Sequence, residues 1–152
     1  MKNKKGRLYD RAEIYDLIEN EQRTENIRND WEQFLTERQI GTFLDVSIET
    51  GDMTLPSQEL GIDIYGSDLS EEMLSRCRKK SVAKQKPVRL ECCDFRDLSC
   101  WKDMKFDCVA STGNVLEYVS NEDVLKTIEK IYEHIKPGGY FCFDSRNWEI
   151  DK

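Results

Sequence analysis

The sequence predicts an α/β domain built on a doubly wound, mainly parallel sheet, and three observations lead there. Five short apolar runs read as strands, and amphipathic helical patterns lie between most of them. Two of those patterns also begin with acidic residues and a cap, and one ends in a basic run, as the helix dipole favours. Strands alternating with helices build a parallel sheet through right-handed crossovers, and ligands then belong at the carboxyl ends of the strands.

Residues 1–41 are expected to form a helical arm and residues 42–152 the ligand-binding domain. In the arm, Ile14, Leu17 and Ile18, then Ile27, Trp31, Phe34 and Leu35, recur at the spacing of one helix face. Two helices are expected, with Thr24 capping the second, Glu25 in its first turn and Gly41 ending the run. Strands are expected over 42–46, 62–66, 88–92, 106–111 and 140–144, the first running into a turn that opens the next helix. Ser70 caps a helix that opens on Glu71 and Glu72, turns Met73, Leu74 and Cys77 inward and closes among Arg76, Arg78, Lys79 and Lys80. The lysine-rich stretch 81–87 reads as a solvated loop. Ser120 caps a further helix with Glu122 and Asp123 in its first turn. Its buried stripe is expected to hold Val124, Leu125, Ile128, Ile131, Tyr132 and Ile135, stopped by Pro137-Gly138-Gly139.

Composition narrows the function. The chain has 152 residues, 38% hydrophobic and 35% charged, enough for one core, and no apolar run long enough to span a membrane. With 23 Lys+Arg against 30 Asp+Glu the formal net charge is -7, which repels a phosphate backbone and favours small molecules over nucleic acid. The amino end, Met1-Lys2-Asn3-Lys4-Lys5, has no apolar stretch behind it, so no signal peptide is expected, and six cysteines then imply a reducing cytoplasm. They contain no C-x-x-C pair, and the single histidine, His134, falls in a helical pattern, so no metal site is expected.

The strand ends carry the chemistry. The first strand runs Thr42-Phe43-Leu44-Asp45-Val46 into Ser47-Ile48-Glu49-Thr50-Gly51, an acidic end followed by a turn. The second ends Tyr65-Gly66-Ser67-Asp68, where a carboxylate can accept both hydroxyls of a ribose. The competing reading is an Asp that only caps the helix of Ser70. The third ends Cys92-Cys93-Asp94-Phe95, a carboxylate and an aromatic ring suited to an adenine amino group and its face, or equally an ordinary loop pair.

In the strings FLDVSIETGDMTLPSQELGIDIYGSDLSEEMLSRCRKK, FDCVASTGNVLEY and IKPGGYFCFDSRNW the chain resembles the class I S-adenosylmethionine (SAM) dependent methyltransferases, whose core is Rossmann-like. Gly113-Asn114 after the fourth strand and Asp144-Ser145-Arg146-Asn147-Trp148 after the fifth make it similar to the glycine and sarcosine N-methyltransferase group. Tyr15 and Arg23-Thr24 ahead of Trp31 resemble that group's amino-terminal arm. The resemblance implies SAM as cofactor and a small-molecule acceptor with an amine nitrogen. It implies that Asp45, Ser47 and Gly51 shape the methionine pocket, that Asp68 holds the ribose and that Leu69 packs on the adenine. Asp94 and Phe95 finish the adenine site, Ser111 lines the cofactor, and Arg23 pairs with the SAM carboxylate. Asn114 and Arg146 face the acceptor. A sulfonium is already a reactive methyl donor, so positioning is the catalyst and no catalytic base is assigned.

The chain departs from the family in two places. Of three glycine positions in the turn after the first strand, Ser47 and Glu49 fill two and only Gly51 is kept. Backbone that suits glycine costs other residues about 1 kcal/mol or more each. Glu49 would attract the sulfonium and amino group of SAM and repel its carboxylate, and weakened cofactor binding is expected. The family's fold continues after the fifth strand to an antiparallel pair that completes a seven-stranded sheet, whereas this chain stops at Lys152. A truncated product lacking the last strands is therefore expected, with an exposed edge over 140–143 that invites a second copy. Two other readings compete: a degenerate non-catalytic remnant that binds a nucleoside weakly or a partner subunit, and a dinucleotide oxidoreductase, which lacks its G-x-G-x-x-G string.

Overall fold

The computed structural model describes residues 20–82 and 87–146. The expected first helix, with Ile14, Tyr15, Leu17 and Ile18, and the Asn147-Trp148 pair lie outside the described residues.

Helix α1 spans Glu21–Glu37. Its cap is Asn20 and not the expected Thr24: the Asn20 side chain accepts from the Arg23 amide at 2.8 Å. Asn is among the strongest caps, and the polar first turn Glu21-Gln22-Arg23 extends the helix ahead of its apolar stripe. That stripe faces the sheet as expected, Leu35 buried and Ile27, Trp31 and Phe34 half-buried. Trp31 meets Phe43 edge-on at 5.0 Å, and its Nε1 donates to the Met53 carbonyl at 2.6 Å, which fixes the ring.

Strands β1 (Thr42–Asp45), β2 (Asp63–Asp68), β3 (Arg89–Cys92), β4 (Phe106–Ser111) and β5 (Ile135–Phe143) form one parallel sheet in the order β3-β2-β1-β4-β5. The central strands are apolar on both sides because both faces are covered. Phe43, Ile64, Cys108 and Ala110 pack with Leu35 and Ile40 on one face, while Leu44, Val46, Phe106 and Val109 pack with Leu98, Trp101 and Ile131 on the other. Each Val, Leu, Ile or Phe among these side chains contributes about 1.5–3 kcal/mol when fully buried. Trp101 is the largest of them, edge-on to Tyr65 and Phe106, with its Nε1 donating to Ser67 Oγ at 3.1 Å.

Helix α2 (Glu71–Val82) is capped as expected, Ser70 Oγ accepting from the Met73 amide at 3.2 Å, and buries Met73, Leu74 and Cys77. It runs on through Ser81 and Val82, which the sequence places in the loop: Ser81 is buried, its Oγ accepting from the Val88 amide at 3.2 Å. Between β1 and β2 there is a 3-10 run, Leu55–Leu60, in place of the expected α-helix. Pro56 is tolerated only in a first turn, and Gly61 follows directly, so there is no length for more.

Helix α3 (Asn121–Glu133) has the expected cap, Ser120 Oγ accepting from the Asp123 amide at 3.1 Å. Its stripe is narrower than expected. Thr127 and Ile131 are buried and Val124 half-buried, but Leu125, Ile128 and Tyr132 are exposed, because the helix meets the sheet along the 124-127-131 line only. Pro137-Gly138-Gly139 does not stop this helix, which ends at Glu133; His134 follows as its C-cap. The triplet lies inside β5, where pairing passes from Phe106↔Ile135 to Cys108↔Tyr140 and the extra β5 residues bulge out. The strand thus starts at Ile135 rather than 140. Among the described residues no helix is long and apolar enough to cross a membrane.

Candidate functional site

The chain passes from β1 to β2 on one side of the sheet and later adds β4 on the other, so the switch point lies between β1 and β4. In doubly wound sheets the turns leaving two such strands diverge, and a ligand crevice belongs at the carboxyl edge between them.

Asp45, at the end of β1, is completely buried. Its Oδ1 accepts from the Ser47 amide at 3.0 Å, and its Oδ2 accepts from the hydroxyls of Thr54 and Thr112, each at 2.6 Å. Burial pushes its carboxyl above the ordinary value, against the pull of those hydrogen bonds. Ser47 adds a second tie between the turns: its Oγ donates to the Thr112 carbonyl at 2.8 Å and lies 3.2 Å from Ser111 Oγ. The structure therefore brings Asp45, Ser47 and Ser111 together. Gly51 follows in the same turn at φ +85°.

Asp68 stands one strand away and is 3% exposed. Its Oδ2 accepts from the Glu49 amide and its Oδ1 from the Ser70 amide, both at 3.0 Å. It thus serves the start of α2 and the lip of the crevice at once, and a carboxylate has further lone pairs beyond two such bonds. Leu69 beside it is exposed. Past β3, Asp94 is gripped by Arg96, whose Nη2 and Nε lie at 2.6 and 3.0 Å from its carboxylate oxygens. That guanidinium holds the Asp94 carboxyl below the ordinary range. Phe95 packs into the Trp101 side of the core. Sequence reasoning missed Arg96, although opposite charges two residues apart in a loop are a readable signal.

The remaining candidates lie around this centre. Arg23 Nη1 pairs with Asp52 at 3.0 Å and so joins α1 to the loop after β1. The Gly113 and Asn114 amides donate to the two oxygens of Asp144 at 2.8 and 2.7 Å, and the Arg146 amide donates to Glu117 at 2.7 Å. A cavity of about 270 Å³ opens between α1 and the ends of β4 and β5. Trp31, Phe34, Met53 and Phe143 wall it, with Asp30 and Asp144 among its lining residues. The sequence hides this cavity because Trp31 and Phe34 occupy positions that read as core.

Glu49 also faces this centre. It is 4% exposed at φ +55°, and a Cβ placed on Gly113 would come 2.8 Å from its Oε1. Its carboxylate therefore crosses from the β1 turn to the β4 turn and fills the crevice where they part.

The sequence profile of the methyltransferase domain matches residues 43–139. The chain belongs to the methyltransferase-domain family. Glycine/sarcosine N-methyltransferase of Aphanothece halophytica is 30% identical over 108 residues, which are 70% of this chain and 41% of that one. The enzyme of the same name from Halorhodospira halochloris is 27% identical over 135 residues, 88% and 50% of the two chains. The chain thus spans about half the length, or less, of these curated relatives. The match to the crystal structure of an S-adenosylmethionine-dependent methyltransferase from Clostridium acetobutylicum ATCC 824 covers 95% of this chain and 57% of that chain, at 26% identity and a TM-score of 0.71. The resemblance read from the strand-end motifs is thereby confirmed, and the fold is the Rossmann-like class I methyltransferase fold.

SAM is the cofactor of this family, and its nucleoside half calls for hydrogen-bond acceptors at the strand ends. Carboxylates able to accept from hydroxyl and amino groups stand at the ends of β2 and β3. The space between the β1 and β4 turns is another matter, because the Glu49 side chain occupies it.

Proposed function

We propose that this methyltransferase domain binds SAM and transfers its methyl group to an amine nitrogen of a small molecule. The observation that carries the reading is Asp68, a carboxylate at the end of the second parallel strand, one strand from the switch point. When bound, SAM supplies a methyl group on a sulfonium. The chain's share is placement. Asp68 accepts from the ribose, and Asp94, kept ionised by Arg96, accepts from the adenine amino group. The cavity beside the crevice suits the acceptor: Asp30 and Asp144 attract an ammonium group, while the Trp31 ring, fixed by the Met53 carbonyl, gives it an aromatic wall. That ammonium gives a proton to bulk water or a nearby carboxylate before its nitrogen lone pair takes the methyl group. The names of the glycine/sarcosine relatives support nitrogen as the methylated atom.

A second reading, a methyltransferase-like domain that binds ligand weakly and does not turn over, is favoured by Ser47 and Glu49 in two glycine positions. Titration calorimetry with SAM and its demethylated product decides between them. Binding heat that Asp68→Ala abolishes, followed by methyl transfer to small amines, supports the enzyme. Silence toward both ligands supports the second reading.

A further inference from the structure

We propose that Glu49 is a plug: in the structure its side chain occupies the crevice between the β1 and β4 turns, and SAM enters only when that side chain leaves. The inference rests on the cofactor reading above and adds the residue that governs admission.

Three independent features place the side chain there. The Glu49 backbone is left-handed at φ +55°, a conformation that costs a non-glycine residue about 1 kcal/mol or more and that sends the side chain inward here. The amide of the same residue donates to Asp68 Oδ2 at 3.0 Å, so the turn is pinned in this shape from the β2 side. The carboxylate then reaches Gly113, whose missing Cβ leaves the space it uses: a Cβ there would lie 2.8, 3.1 and 3.3 Å from Oε1, Cδ and Oε2. A Cβ at 113 would require that carboxylate to move. Asp68 and Glu49 are both nearly inaccessible as a result, at 3% and 4% exposure.

The arrangement is reversible by its chemistry. A carboxylate that leaves a buried position regains hydration, so displacing it does not cost the free energy of moving a packed apolar group. The hydrogen bond from the Glu49 backbone amide to Asp68 can be kept, because the side chain leaves by rotation about its own torsions. The plug thus sets affinity while the groups that accept from the nucleoside stay in place.

The test is calorimetric titration of SAM into the full chain and its variants Glu49→Gly, Glu49→Ala and Glu49→Gln, with circular dichroism to confirm folding. Glu49→Gly is expected to bind at least about ten-fold tighter than the parent, the equivalent of about 1.4 kcal/mol. Glu49→Ala keeps the parent's backbone requirement and empties the crevice, so it shows the same gain should the glycine variant fold poorly. Glu49→Gln keeps the bulk and stays close to the parent. Equal affinity across the set overturns the plug and leaves the cofactor reading standing. A glutamine variant that binds as tightly as the alanine variant overturns it also, since charge and not occupancy would then be at work. Silence of every variant toward SAM overturns the plug and the cofactor reading together.

Discussion

Substituting Gly51→Ala probes how tightly the turn after β1 is packed on its support. Gly51 sits at φ +85°, and a Cβ there would lie 2.6 and 2.7 Å from Leu55 Cγ and Cδ1 and 2.8 Å from Cys77 Sγ. Two costs follow. The left-handed backbone disfavours alanine by about 1 kcal/mol, and forcing a methyl group against two buried side chains adds about 1–3 kcal/mol. Gly61 provides the internal standard, since it has φ +78° and nothing within 4 Å of the added Cβ. Gly61→Ala therefore carries the backbone cost alone, about 1 kcal/mol. Urea unfolding of both variants, followed by tryptophan fluorescence, should give midpoints that differ by about 1–3 kcal/mol in stability at an unchanged m-value. Equal stabilities for the two variants would refute the packing argument.

Trp101→Phe keeps an aromatic ring but removes the hydrogen bond to the buried Ser67 hydroxyl, at a cost of about 1–3 kcal/mol, whereas Trp101→Ala should cost about 3–5 kcal/mol; thermal melts that fail to rank them in that order contradict the assignment. Burial pushes the Asp107 carboxyl up, but the Gly41 and Thr42 amides and the Lys136 ammonium outweigh it and hold the group below its ordinary 3.8. A depressed folded-state value adds stability above the unfolded one that is lost as pH falls through the folded one. Asp107→Asn should accordingly flatten the acid limb of the stability curve below about pH 3.8, and an unaltered limb would count against the network. Asp45 has the opposite sign, its raised carboxyl withdrawing stability as pH climbs from 3.8 through the folded-state value. In native thiol titration the exposed Cys92 should react first and Cys92→Ser should remove that phase, while Cys77, buried and pushed up to about 12, and the buried Cys108 should react only in denaturant.

Strand and cap positions were legible wherever burial and local chemistry agree. β1, β2 and β4 read as apolar runs because both sheet faces are covered, and Ser70 and Ser120 read as caps because acidic residues follow them. The start of β5 was hidden, since Pro137-Gly138-Gly139 looks like a break and only the pairing with β4 turns it into a bulge. The α3 stripe was overread for a related reason: apolar spacing gives the face a helix could bury, and the sheet decides how much of it is covered. In the candidate site, the position of Asp68 at a strand end and its bond to the start of the Ser70 helix were legible, whereas its bond to the Glu49 amide was not. Glu49 was flagged as bulky, but its direction depends on a left-handed backbone that no spacing rule reports. Arg96 and the cavity beside α1 escaped because each arises from contacts between neighbours that sequence treats separately.

The Asp45 carboxylate has a mechanical consequence. It joins the end of β1, the loop at Thr54 and the turn at Thr112 through bonds of 2.6–3.0 Å, so these three segments are held as one unit at the base of the strand ends. The start of α2 is tied to the same region through Asp68, through the hydrogen bond from the Ile48 amide to the Ser67 carbonyl at 3.0 Å, and through the packing of Cys77 against Gly51. A displacement of the loop after β4 is therefore passed to the loop after β1 through the carboxylate of Asp45.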